Sequence, residues 1–326
     1  MKLVRRQFLQ HAGAAAALMA LPSIAGAQTY PTRTVRLVAG FPPGSATDII
    51  ARILAQPLSQ RLGQEVIVDN KPGAGSNLAA EFVAKAAPDG YTLLAMTITN
   101  AVNETLYQGL GFDFARDIVP VVATFESPNT FAVNPSVPAH TVAEFIAYAK
   151  ANPGKINYAS FGIGSAPHMN GELFDMMTGV KMVHVPYRGN PLPDLLSGQV
   201  QAIFSPMPVT IGAIRAGQLR ALAVTSAKPS EALPGVPTVA ETVPGFNAGI
   251  WHGIGAPKGT PAAVIARLNK EVNAILADAK TKEQFAKYGG TPVGGTPESF
   301  GKFIAGEITK WGKVIKTANI KVDSEH

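Results

Sequence analysis

Short apolar runs alternate along the chain with amphipathic stretches. "TVRLVA", "EVIVDN", "YTLLAM", "IVPVVATF", "TFAVNP", "INYASF", "KMVHVPY", "QAIFS" and "RALAVT" are rich in Val, Ile and Leu and are separated by helical patterns. Strands alternating with helices of about ten or more residues predict an α/β fold of doubly wound, mainly parallel sheets flanked by helices. After the first run, Ile50, Leu54, Leu58 and Leu62 recur every four positions, so a helix buries that face and stops at Gly63. Pro57 lies inside it and is expected to kink it. Near the end of the chain, Phe300, Phe303, Ile304, Ile308, Trp311, Val314 and Ile315 share one face at spacings of three and four, a stripe expected to pack in the core.

Two Pro- and Asn-bearing breaks interrupt this alternation, "FESPNTFAVNPSVPAH" at 125–140 and "LPGVPTVAETVPGFNAG" at 233–249. They predict one lobe built from 28–127 plus 248–326, a second lobe from 128–247, and a hinge of two crossings with a cleft between the lobes. Residues 1–27 stand apart. Lys2, Arg5 and Arg6 precede an alanine-rich apolar centre and a small-residue exit, "AGA", which reads as an export signal cleaved after Ala27. The "RRQFLQ" start resembles the twin-arginine type. The apolar run is shorter than the ~20 residues of a spanning helix and is interrupted by Pro22 and Gly26. The expected location is therefore the periplasm.

Removing Lys2, Arg5 and Arg6 leaves 25 basic residues against 22 acidic ones, so the formal charge of +6 becomes +3. The remaining Lys and Arg are scattered, with no basic stripe interleaved with aromatics, which argues against nucleic acid as a partner. With no cysteine among 326 residues, thiol nucleophiles, thiolate metal sites and disulfides are excluded together.

The chemistry concentrates in three loops of Gly and Ser, each ahead of a helix: "GFPPGSATD" at 40–48, "NKPGAGSNLAAE" at 70–81 and "SFGIGSAPHM" at 160–169. The unpaired N–H groups and positive pole of a helix start suit a carboxylate or a phosphate. Neither Gly44 nor Gly75 is followed by the Lys-Ser or Lys-Thr pair of a phosphate loop, and Leu78 and Pro167 stand where dinucleotide-binding loops need a third glycine. "YASFG" lacks the first glycine of a nucleophile elbow, and His168 lies too close to Ser165 to serve as a hydrolase base. The histidines after residue 27 (140, 168, 184, 252 and 326) have no metal-ligand spacing. The reading is therefore no catalytic residues, no metal and no cofactor. His168 reads equally as a helix-end hydrogen-bonding residue or a donor to a bound carboxylate. Arg188, beside Tyr187 at a strand end, reads as a surface charge or a donor facing the crevice of Ser165.

The order and spacing of "YPTRTVRLVAGFPPGSATD", "VIVDNKPGAGSNLAAE", "PDGYTLL", "NPGKINYASFGIGSAPHM", "VPYRG", "DLLSGQVQAIF", "RALAVT" and "GIWHGIGAPKGTP" resemble the substrate-binding proteins of tripartite tricarboxylate transporters, the Bug or TctC family. The resemblance covers nearly all of the chain after the signal. It implies a two-lobed periplasmic receptor, working as a monomer, that closes on a small mono- or dicarboxylate, aromatic ones included, and delivers it to a membrane permease. It implies no catalysis. The alternatives are a ligand-binding partner of a membrane signalling protein and an exported α/β hydrolase.

By position, the resemblance implies ligand contacts at Phe41, Pro43, Gly44, Ser45 and Asp48 from the first lobe, the aspartate more as a brace of the helix start. It implies contacts at Ser160, Gly164, Ser165 and His168 from the second lobe, with Thr97, Thr99, Tyr187, Arg188 and Gln201 on the walls. The chain departs from the family pattern at three places. Ser45 follows Gly44 where a second glycine is common, Gln201 replaces an aspartate, and Asn190, Pro191 and Leu192 fill the turn after Gly189. If Gln201 faces the ligand, the lost charge favours a more anionic one.

Overall fold

The computed structural model describes residues 30–187 and 189–322. The signal segment, including Arg5 and Arg6, and Arg188 lie outside the described residues. Every element below lies in the compact unit that begins at Arg33. No helix among the described residues is long and apolar enough to cross a membrane.

The apolar runs form two sheets. The first contains β1 (Val35–Ala39), β2 (Val66–Asn70), β3 (Thr92–Thr97), β4 (Ile118–Ser127), β10 (Ile250–Pro257) and β11 (Thr291–Gly294), in the order β11-β4-β10-β3-β1-β2. The second contains β5 (Asn129–Val133), β6 (Asn157–Ser160), β7 (Val183–Pro186), β8 (Ala202–Pro206) and β9 (Arg220–Val224), in the order β7-β6-β8-β5-β9. Five helices position or brace the site: α1 (Ala46–Leu62), α2 (Asn77–Ala84), α3 (Ile98–Leu106), α4 (Ala166–Thr178) and α5 (Pro297–Ala318). Pro57 is accommodated within α1, which ends at Gly63 in the left-handed conformation.

Both sheets are mixed, where the sequence pattern predicts mainly parallel ones. β1 runs parallel to β2 and β3, but β10 is antiparallel to β3 and β4. β6 runs parallel to β7 and β8, but β5 is antiparallel to β8 and β9. The reason is the crossing. The chain leaves the first sheet along β4 and passes through Pro128 into β5, and the returning strand β10 lies beside β4 running the other way.

Polar contacts pin these crossings together. The Asn129 side chain has no hydrogen-bond partner among the described residues, but its backbone N–H donates to Thr225 Oγ1 at 2.9 Å and its carbonyl accepts from the Thr225 N–H at 2.9 Å. Thr225 in turn accepts the Ala248 N–H at 3.0 Å, and Asn170 of α4 donates to the Ala248 carbonyl at 2.9 Å.

A continuous apolar core joins Val38 and Leu94 of the first sheet to Phe131, Tyr158 and Phe204 of the second, through Met169 of α4 and Trp311 and Ile315 of α5. The α5 stripe is core as expected, except that Ile308 is half-buried against it and Phe303 is 43% exposed, resting edge-on to Trp251 at 5.5 Å.

Candidate functional site

In each sheet the parallel strands change direction of winding once, between β1 and β3 and between β6 and β8. Loops at the carboxyl ends of strands flanking such a point splay apart and leave a crevice for a ligand. In the first sheet these are 40–45 after β1 and the Thr97 turn after β3, with 71–76 beside them after β2. In the second sheet it is 160–165 after β6.

The 40–45 loop is built on backbone. Pro42, Pro43 and Gly44 are exposed, and Phe41 and Ser45 are half-buried. Ser45 caps α1, its hydroxyl oxygen accepting the Asp48 N–H at 3.3 Å. Asp48 is buried and engaged from within the chain on both oxygens: Gly44 N–H at 2.9 Å, Asn70 Nδ2 at 2.9 Å and Arg52 Nε at 3.0 Å. Burial would raise its pKa, but the hydrogen bonds from Arg52, Gly44 and Asn70 outweigh that and hold it below the ordinary carboxylate value. Asp48 therefore braces the loop and offers no free oxygen. Asn70 also donates to the Phe41 carbonyl at 2.9 Å, tying both ends of the loop to β2.

The 71–76 loop seats directly against it. Ser76 is buried with φ 78°, and a Cβ placed on Gly40 would fall 1.9 Å from its Oγ, so only glycine fits at 40. Two asparagines of α3 hold this loop. Asn100 donates to Ser76 Oγ at 3.3 Å and accepts the Thr97 N–H at 3.0 Å, while Asn103 donates to the Gly75 carbonyl at 2.7 Å. Thr97 is buried at this turn and Thr99 is half-buried on the first turn of α3.

In the 160–165 loop most predicted side-chain donors lie beneath the backbone. Ser160 is fully buried, its Oγ 2.6 Å from His184 Nε2 and 3.1 Å from the Gly162 N–H it accepts. His168 is buried too, and its Nδ1 accepts the Gly164 N–H at 3.1 Å. Ser165 is half-buried, and its hydroxyl donates to the Gly162 carbonyl at 2.6 Å. The groups this loop turns outward are backbone and the apolar side chains of Phe161 and Ile163, both exposed. Gly164 has φ +77°, and a Cβ there would fall 2.6 Å from Leu106 Cδ2 of α3, so this loop touches the first sheet's helix directly.

The structure sorts these expectations. Ser160 is a support under the loop and His168 takes the helix-end hydrogen-bonding role of its two readings, because β6 and the first turn of α4 carry their side chains inward. Tyr187 follows β7 beside this loop, its N–H donating to the Ser160 carbonyl at 3.0 Å, but its hydroxyl donates to Asp194 at 2.7 Å. Burial and that bond push its pKa up to about 12. Gln201 is not at the crevice. It precedes β8, where its side chain accepts the Asn157 N–H at 2.9 Å and donates to the Gly198 carbonyl at 2.9 Å, at the amino end of the parallel strands and opposite the 160–165 loop.

His184 was absent from the sequence expectations and is central here. Its ring stacks on His168, centroids 3.8 Å apart at 17°. Glu172 completes the cluster, its Oε1 accepting the Tyr158 hydroxyl at 2.6 Å and lying 3.6 Å from His168 Nε2. Burial would raise the Glu172 pKa, but hydrogen bonds from His168 and Tyr158 outweigh it and the carboxyl is held low. The Ser160–His184 pair has the look of a nucleophile and base, but full burial denies Ser160 to any substrate. Among the described residues no group of three or more His, Asp or Glu is placed to hold a metal.

Comparison with known proteins follows this geometry. The sequence model of a family described as "Tripartite tricarboxylate transporter family receptor" matches residues 50–320. The chain is 39% identical to Protein BugT of Bordetella pertussis over 301 residues, covering 91% of this chain and 92% of that one. Among solved structures it is similar to Rpa4515 of R. palustris with adipate, at 39% identity and TM-score 0.77, over 90% of this chain and 99% of that one. It is similar also to MatC of Rhodopseudomonas palustris with bound malate, at 30% identity and TM-score 0.74, over 88% and 100%.

Proposed function

Because the chain belongs to the tripartite tricarboxylate transporter receptor family, we propose that it is an exported, periplasmic receptor that binds a small carboxylate and hands it to a membrane permease, without catalysing a reaction. The two sheets are the cores of two lobes, 28–127 plus 248–326 and 128–247, and the ligand lies between the 40–45 and 160–165 loops. The observation that carries this reading is the pairing of two Gly-Ser loops, each ahead of a long helix and each at a winding reversal of its own sheet.

The protein works as a monomer, and closure follows from differential binding. A carboxylate satisfies N–H groups of both loops only when the lobes are together. Each such charge-assisted bond contributes roughly 1.5–3 kcal/mol, so a few of them, less the ordering cost, reach the ~8 kcal/mol of micromolar affinity. The proteins with adipate and malate make dicarboxylates the first class to try. The apolar Phe161 and Ile163 on the second loop suit a ligand whose carboxylates are separated by a hydrocarbon chain or ring.

A thermal-shift panel of mono- and dicarboxylates tests the proposal. A ligand at 100 times its Kd adds about 2.7 kcal/mol, a rise of several degrees in Tm. A panel of carboxylates that leaves Tm unmoved would count against a carboxylate receptor.

A further inference from the structure

Behind the 160–165 loop lies a stacked pair of imidazoles, His168 buried and His184 half-buried, that the carboxylate site does not itself use. His184 comes from β7 and His168 from α4, and they meet face to face at 3.8 Å. Each ring reaches a different end of the loop. His184 contacts Ser160 Oγ at 2.6 Å, and Ser160 Oγ receives the Gly162 N–H at 3.1 Å. His168 Nδ1 receives the Gly164 N–H at 3.1 Å.

The bond from the Gly164 amide fixes the proton of His168. An imidazole nitrogen that accepts an N–H carries no proton, so His168 Nδ1 is bare and its proton is on Nε2, facing Glu172 Oε1 at 3.6 Å. At Ser160 the Gly162 N–H donates to Oγ, and the His184 tautomer sets which way the 2.6 Å Ser160–His184 bond runs. With the His184 proton on Nε2, that N–H also donates to Oγ and the serine proton goes to the Gly162 carbonyl at 3.2 Å; with Nε2 bare, the serine donates to it and the Gly162 carbonyl keeps the Ser165 hydroxyl as its donor. Stacked rings at this separation oppose a second positive charge.

We propose that His184 is a positioning residue for ligand binding: as a neutral ring it holds Ser160 and His168, and through them the Gly162 and Gly164 amides, in the shape that receives the ligand. The inference rests on the receptor reading given above. Burial, and then the adjoining His168, pull the His184 pKa down to about 4, which keeps the ring neutral at pH 7. The titratable groups acting on the pair from the elements packed against it are Tyr158 of β6 and Glu172 of α4, with Asp175 nearly one turn further along α4. Full protonation would add a proton that one of the two rings has no acceptor for and place charge against the stacked neighbour, so the loop would loosen on acidification.

The test uses the ligand-free protein first. In the wild type, the amide NMR signals of Gly162 and Gly164 should shift with the same midpoint as the His184 ring protons. At pH 7, His184→Phe keeps the stack but removes the nitrogen, and amide exchange at Gly162 should rise about tenfold with exchange across β8 unchanged. His184→Gln, whose amide nitrogen reaches the position of Nε2, should restore most of the protection. Adipate and malate are then titrated, and the one that binds the wild type should bind His184→Phe about tenfold more weakly and His184→Gln nearly as well as wild type. Unaltered exchange at both glycines in His184→Phe, or glycine signals that ignore the His184 titration, would overturn the positioning role whatever binds. Loosened glycines in a protein whose wild type binds no carboxylate would instead sink the receptor reading and leave the positioning role standing.

Discussion

Trp251 and Trp311 share one acceptor: both indole N–H groups donate to Oε2 of Glu307, at 3.0 and 2.9 Å. Trp251 stands in β10, the strand that returns from the second sheet, whereas Trp311 and Glu307 lie on α5. Lys310 bonds the other oxygen of Glu307 and reaches the Asn247 carbonyl at 3.0 Å, so α5 grips the returning segment on both sides of its entry into β10. All three side chains at the centre are buried.

Glu307→Leu should therefore destabilise strongly. It leaves two buried indole donors without an acceptor, each costing about 1–3 kcal/mol. Glu307→Gln keeps an acceptor oxygen and should lose less. Urea unfolding followed by tryptophan fluorescence measures both, and equal losses would mean that the shared bond is not what stabilises this corner.

The two loop serines have different duties. Ser45→Ala removes the cap of α1 and should cost about 1 kcal/mol of stability. Ser165→Ala removes a hydroxyl bonded to the Gly162 carbonyl, so it should loosen the loop and weaken ligand binding more than it lowers Tm. Paired measurements of Tm and Kd on both variants separate the two, and the same pattern in each would contradict this division.

The buried His252 and the half-buried His184 and Asp175 set a pH dependence whose sign follows from the direction of each shift. His184 and His252 are each pulled down to about 4, burial being the first cause for both. Unfolded imidazoles titrate near about 6.5, so between those values the unfolded chain holds more protons than the folded one. The stability given by the neutral rings is full above about pH 6.5 and is lost as the pH falls toward 4. Asp175 opposes them, since burial pushes it up to about 7 and its folded form keeps a proton that the unfolded chain releases. Asp175→Asn should therefore make stability fall more steeply than wild type between pH 7 and 5, and His252→Leu less steeply. Parallel curves for all three proteins would refute these assignments.

The order of apolar runs and the two breaks were readable because strand and helix periods differ and prolines mark the crossings. Strand direction was not, because the buried faces of Val122 in β4 and Ile254 in β10 read alike whichever way the chain runs. The same blindness misplaced Gln201, whose distance from the loop depends on which end of β8 faces the crevice. The Gly-Ser loops were legible from composition, whereas the inward turn of Ser160 was not, and for His168 the sequence left a helix-end role and a ligand contact equally open. His184 sits in "KMVHVPY" as one polar residue of a strand, and its partner Ser160 is 24 positions earlier, so no local spacing marks the pair.

The export reading concerns Arg5 and Arg6, which lie outside the described residues. Arg5→Lys with Arg6→Lys should leave uncleaved precursor in the cytoplasm, assayed by fractionation. Undiminished export would point to the general secretory route.

The central claim is that the 40–45 and 160–165 loops grip one carboxylate together. Calorimetric titration of the panel's best carboxylate into wild type, Ser45→Phe and Ser165→Phe tests it most directly. The expected result is binding in the wild type and none in either variant, with cooperative unfolding preserved in all three. Binding that persists at wild-type Kd in either variant would remove that loop from the site and contradict the two-loop grip.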